Sequence, residues 1–221
     1  MGRLKRASEA RPDPALLAFM AEGFFSRLSF GILTFVVPLF ALKQGMSLAA
    51  IGFLLSANVI VSIALKPLMG ALADRVGCKR ALTAAILMRS GVTLTFALAV
   101  SPLFLFAARG LHGVSIALRD PALYTLLADH GGKKKVAQSF AWWQTAKSLA
   151  GNGSKVAGGL LLALTQSDFQ LVFLISFGLS LLPLYVVLRH VPAGGRQVAP
   201  AVDERLDEAA EPETESLARS K

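Results

Sequence analysis

The sequence predicts an all-α membrane protein of six transmembrane helices with both termini on the cytoplasmic side. Three observations predict it. Of the 221 residues, 54% are hydrophobic and 17% charged, against about 25% charged in soluble domains, so charge is too sparse to cover a water-facing surface. Six mostly apolar runs, at 15–42, 47–69, 81–100, 103–128, 137–165 and 169–188, each reach the roughly 20 residues that a spanning helix needs. Lysine and arginine gather in every second connection, the bias that orients membrane helices.

The leader, residues 1–14, carries Arg3, Lys5, Arg6 and Arg11. It is basic, but the run behind it is too long for a cleavable signal and holds Glu22 and Arg27, so a retained cytoplasmic leader is expected. The first span ends ahead of Gly45. The second runs into "GALADRVGCKR", residues 70–80, expected as a tight charged turn whose glycines permit the bend. Ser101-Pro102 separates spans three and four, and Pro121 is placed to kink the fourth. Gly131-Gly132 and the lysines Lys133, Lys134 and Lys135 lead into span five, where Trp142 and Trp143 suit an interfacial anchor. Ser167-Asp168 precedes span six, and Arg189 follows it. The alternate loops hold only Lys43. Residues 15–190 form the predicted bundle. Residues 191–221 form an acidic cytoplasmic tail, with 7 acidic against 4 basic side chains beyond residue 192, and too few apolar residues to fold alone.

Helices are the open-chain way to satisfy backbone polar groups in lipid, and the short alternating segments of a barrel are missing. The net charge of +9 reflects loop lysines and arginines, which argues for membrane orientation and against nucleic acid. Cys78 is the single cysteine, so no intrachain disulfide forms. The three histidines show no metal-ligand spacing and no phosphate-binding lysine loop occurs. Neither an enzyme nor a metal or other cofactor is expected.

Ionisable groups deep in a bilayer cost about 2.5–3.5 kcal/mol each, so those inside the spans need a reason. At about 1.5 Å per residue, Glu22 lies roughly 10 Å into span one and Arg89 roughly 12 Å into span three. By the same rise, Arg119 lies roughly 13 Å from the inner end of span four and Lys147 roughly 15 Å along span five. These four are expected to form one layer, which Asp120 adjoins. The bland alternative is that Glu22 and Asp120 simply neutralise Arg89 and Arg119. Lys66 lies near enough to the cytoplasmic end to snorkel.

The segment Gly70-x-Leu72-Ala73-Asp74-Arg75-x-Gly77-x-Lys79 resembles the loop motif of the major facilitator superfamily of secondary transporters. Leu105-x-x-x-Arg109-x-x-His112-Gly113 is similar to that family's fourth-span arginine motif, with His112 where glutamine is more usual. In the fifth span, Ser154 and Lys155 stand where the drug/proton antiporter branch has glycine and proline. The resemblance covers roughly 15–190 and implies half of a major-facilitator-type bundle, the N-terminal six helices of a twelve-span fold. It implies a gating group of Gly70, Asp74, Arg75, Gly77, Lys79 and Asp129, with Asp129 paired to Arg75 or Lys79. It further implies that spans one and four, with five, line a central cavity. The expected substrate-binding residues are therefore Arg27, Arg109, Arg119 and Lys147, with Glu22, His112 and Asp120 as proton or counter-charge groups. Span three is the more peripheral one in the family, which leaves Arg89 outside the expected cavity.

The implied function is secondary active transport of a small, anionic or zwitterionic solute across the cell (inner) membrane by alternating access. A homodimer or a separate C-terminal half would complete the transporter, because each half begins and ends on the cytoplasmic side. The alternatives are a non-transporting membrane subunit or scaffold, or a truncated inactive fragment.

Overall fold

The computed structural model describes residues 14–99, 101–130 and 136–191. Among them six α-helices follow one another: α1 Pro14–Lys43, α2 Leu48–Val76, α3 Cys78–Ala97, α4 Pro102–His130, α5 Val136–Leu164 and α6 Phe169–His190. The leader, the lysines Lys133, Lys134 and Lys135, and the acidic tail lie outside the described residues. Caps set several of the starts. Ser47 Oγ accepts from the Ala50 amide at 3.2 Å, and Asp168 Oδ1 accepts from the Leu171 amide at 3.2 Å. Each satisfies one of the orphan donors of a helix N-terminus.

The expected turn at 70–80 is a helix for most of its length. Residues 70–76 continue α2, and only Gly77 breaks the chain before α3 starts at Cys78. Gly77 has φ +91°, a backbone conformation open to glycine and costly for other residues. Its amide still donates to the Ala73 carbonyl at 3.0 Å, and its carbonyl accepts from the Ala81 amide at 3.0 Å. One residue therefore serves as the end of one helix and the start of the next. Charge alone does not end a helix, so the polar composition of 70–76 marks where α2 leaves the apolar zone, not where it unwinds.

α1 packs chiefly on α5 and α6, α4 packs chiefly on α2 and α3, and α3 meets α6. Exchanging the first three helices for the last three leaves this pattern of neighbours unchanged, as in a bundle of two three-helix repeats. The close approaches repeat likewise. A Cβ on Gly31 of α1 would fall on the Ser154 side chain of α5, and a Cβ on Gly113 of α4 would sit 2.6 Å from the Asn58 carbonyl of α2. Glycine at each place lets two backbones come together where a larger residue would part them.

Two apolar cores form, one at each end of the bundle. Phe19, Leu82, Ile86, Leu123, Leu126 and Trp143 anchor the end that holds Pro14 and His190. Leu33, Val36, Leu54, Phe96, Leu105 and Phe173 anchor the other. Between them lies a polar belt. Trp143 is buried and Trp142 exposed, so the expected anchor pair is divided: Trp143 packs edge-on to Tyr124, ring centroids 5.7 Å apart. α1, α2 and α6 are each long and apolar enough to cross a membrane on their own. The more polar α3, α4 and α5 supply Arg89, Arg109, Arg119 and Lys147 to the belt.

Candidate functional site

The belt surrounds a cavity of about 390 Å³ lined by α1 to α5. On α4 the lining residues Arg109, His112, Ile116 and Arg119 follow one another by three, four and three residues. That spacing keeps them on one helical face. On α1 the lining residues include Gly23, Ser26, Arg27, Phe30 and Thr34, on α2 Leu55, Asn58 and Val59, on α3 Arg89, and on α5 Lys147.

All four expected substrate-binding residues, Arg27, Arg109, Arg119 and Lys147, line this one cavity, as do His112 and Asp120. Their surroundings differ. Glu22 is 0% exposed and Arg119 5%. Arg119 donates from Nε to Glu22 Oε1 at 3.1 Å and from Nη2 to Oε1 at 2.7 Å and Oε2 at 2.8 Å. This fork satisfies a buried carboxylate with a planar guanidinium, the geometry that makes a desolvated ion pair tolerable. Asp120 lies 3.7 Å from Arg119 and 3.3 Å from Lys66, whose side chain remains 46% exposed. Both carboxylates are thus held from one side of the belt.

The remaining cations have no carboxylate within ion-pair distance among the described residues. Arg109 is 2% exposed. Its Nε and Nη2 have no hydrogen-bond partner among the described residues, and its guanidinium lies 5.8 Å from the Phe96 ring. Both ring nitrogens of His112 are likewise buried without a partner, while its face stacks on Phe30 with centroids 3.6 Å apart. Arg89 donates to Ser26 Oγ at 2.9 Å and lies over the same Phe30 ring at 4.5 Å. Lys147 Nζ sits 4.4 Å over the Trp143 ring.

Two expectations change here. Glu22 and Asp120 do not neutralise Arg89 and Arg119 as two pairs: both act on Arg119, and Arg89 turns to a hydroxyl and an aromatic face. Arg89 also belongs to the cavity, because a long guanidinium stem reaches from α3 across to α1. Its depth in the sequence, level with Glu22, Arg119 and Lys147, was the signal for that. Ser26, Phe30, Thr34 and Asn58 gave no such signal, being ordinary residues for an apolar helix.

The expected gating group gathers at the end of the bundle that holds Pro14. Asp74, Arg75, Gly77 and Asp129 are exposed, and Gly70 and Lys79 half-buried. Asp74 and Asp129 both lie within electrostatic reach of Cys78. Among the described residues no ion pair joins Asp129 to Arg75 or Lys79, so the implied latch contact is not made in this conformation.

A family model described as Major Facilitator Superfamily matches residues 20–219. No curated protein matches the chain. Among solved structures, a mutant of the peptide transporter POT in complex with sulfate superposes with TM-score 0.71 at 17% identity, over 92% of this chain and 44% of that one. A bacterial homolog of the human lysosomal transporter Spinster, in an inward-facing and occupied conformation, superposes with TM-score 0.71 at 16% identity, over 84% of this chain and 46% of that one. The chain thus spans a little under half the length of these transporters.

Proposed function

The chain belongs to the Major Facilitator Superfamily, a family of multi-pass membrane transporters, and we propose that it forms one six-helix lobe of a secondary transporter that moves a small solute by alternating access. The solute sits in the belt cavity, against Arg27, Arg109 and Lys147, while the apolar cores on either side keep the lobe rigid as it rocks. The observation that carries this is the cavity itself. It is a cationic cavity between the two apolar cores of a bundle with the transporter fold, and α4 and α1 contribute most of its lining.

A second six-helix lobe completes the chamber. Two features support that: the chain spans under half of its structural neighbours, and α2 and α5 leave large apolar side chains such as Phe53, Ile60, Ile63, Val156 and Leu160 exposed. The second lobe is either another copy of this chain or a separate six-span protein. Both termini and the Gly77 break face the cytoplasm, and the protein resides in the cell membrane. The exposed Asp74, Arg75 and Asp129 then form the cytoplasmic rim, pairing only when the lobes close on that side.

Native mass spectrometry of protein extracted gently from its own membranes tests this together with solute flux in vesicles. A homodimer or a complex with a second six-span chain, and flux abolished by Arg109→Ala at unchanged expression, is the expected result. A lone monomer with no flux would overturn it.

A further inference from the structure

The belt contains more positive charge than its own carboxylates balance. Five cationic side chains, Arg27, Arg89, Arg109, Arg119 and Lys147, line the cavity. Two carboxylates act on them, and both are engaged at Arg119. Asp120 is further shared with Lys66. Four cations, Arg27, Arg89, Arg109 and Lys147, therefore have no carboxylate partner among the described residues, which offer Arg89 a hydroxyl and Arg89, Arg109 and Lys147 aromatic faces. His112 lies within electrostatic reach of Arg89, Arg109, Arg119 and Arg27, so the charges act on one common space.

Arg109 is buried, Arg89 and Lys147 are half-buried and Arg27 is exposed; a buried charge without a partner is unfavourable in a lipid-embedded bundle unless something negative comes to it. The most deeply buried free cation has a specific shape. Arg109 directs two unpartnered nitrogens, Nε and Nη2, and these form the edge of a guanidinium that grips two oxygens of a carboxylate or phosphate side by side. Arg89, on α3, is held by Ser26 of α1 through Nη1 at 2.9 Å.

Resting on the transport reading above, we infer that the solute is a small organic dianion, with two anionic oxygen groups or one doubly charged phosphate. One anionic group is held by the Arg109 edge and the second charge is shared by Arg89, Arg27 and Lys147. Arg119 takes no direct part: its fork is filled by Glu22, and it serves as a positioning residue that holds α4 to α1. The part of the cavity that this lobe supplies is about 390 Å³, already within the range of ligand pockets, about 300 to 1,000 Å³.

The test is a charge series of nearly constant shape on the full-length protein in phosphatidylcholine nanodiscs. Succinate, succinamate and succinamide carry two, one and no negative charges, and glycerol 3-phosphate supplies the phosphate dianion. Trp fluorescence reads binding, because Lys147 lies against the Trp143 ring and shifts when an anion draws it away. A shift in melting temperature reads it independently. At least one of the two dianions should bind roughly tenfold or more tighter than succinamide, with succinamate between. Arg109→Gln should erase most of the difference. The ligand series on the unaltered protein stands whether or not that variant folds. Equal responses across the series, or no response to either dianion, would overturn the inference. Solute flux with the same protein reconstituted in sealed phosphatidylcholine vesicles separates the two ideas. Charge-ordered binding without flux would sink the transport reading alone, and flux of a neutral solute without charge-ordered binding would sink this inference alone.

Discussion

The two arginines of α4 share a helix face, a cavity and near-complete burial, and they live in opposite circumstances. Arg119 has both oxygens of Glu22 in its fork and Asp120 beside it. Arg109, three turns away and roughly 15 Å along the axis, has an aromatic ring and two idle nitrogens. The difference teaches how one belt can keep a charge matched within the fold apart from one that is not. Around Arg119 the charges are matched within the fold, so that region ties α4 to α1 through the ion pair. Around Arg109 they are left for something outside the fold. The local sequence shows only part of this: Asp120 follows Arg119 directly, but Glu22, which fills the fork, lies 97 residues away.

The comparison breaks most visibly if one partner of the filled fork is removed. Arg119→Met should strand a fully buried Glu22 carboxylate and lower stability by about 3–5 kcal/mol, read as a fall in the unfolding midpoint in lipid or detergent. Converting both partners to apolar residues, Glu22→Leu with Arg119→Met, should recover most of that loss. A double variant as unstable as the single one would show that the pair is not what holds the region.

Between the two arginines lies Gly113, pressed on the backbone of α2 at Asn58. Gly113→Ala should force α4 away from α2 and cost about 1–3 kcal/mol, widening the wall that bears Arg109 while leaving the Glu22 pair in place. Loss of the Arg119 contact instead, seen by a double-mutant cycle with Glu22, would mean that the two regions are mechanically one.

Removing the idle charge should act in the other direction. Arg109→Met keeps the volume, leaves no carboxylate stranded, and should raise stability by about 1 kcal/mol as flux and anion binding disappear. A drop as large as that of Arg119→Met would erase the contrast. The smallest effect is expected at Ser26→Ala, which frees Arg89 and should cost about 1 kcal/mol or less. Its sharper readout is a several-fold weakening of anion binding in the charge series.

Much of the cavity lining was visible in the chain itself. Arg27, Arg109, Arg119 and Lys147 stood out because a cation inside an apolar run is costly and therefore informative. Glu22 stood out for the same reason. Arg89 carried the same signal and was set aside only because span three was expected at the periphery. Phe30, Ser26 and Asn58 could not be picked out, since an aromatic, a serine and an asparagine occur in any membrane helix. Their role comes from what faces them: Phe30 lies under both Arg89 and His112 through contacts with two other helices.

The sequence by itself determined that there are six helices, nearly where each begins and ends, and that a charged layer lies at mid-height. These follow from hydropathy along the chain and from the demand of lipid that backbone groups pair within a helix, both local properties. It misplaced the end of α2 because charge reports the edge of the apolar zone and not the end of a helix. Only the tertiary structure decided which charges meet. Glu22 and Arg119 are 97 residues apart, and their pairing depends on how α1 and α4 are rotated and how closely glycines let the helices approach. That rotation gave Arg119 its carboxylate and left Arg109 without one, since two helices present one face to each other and a single buried glutamate can fill only one fork.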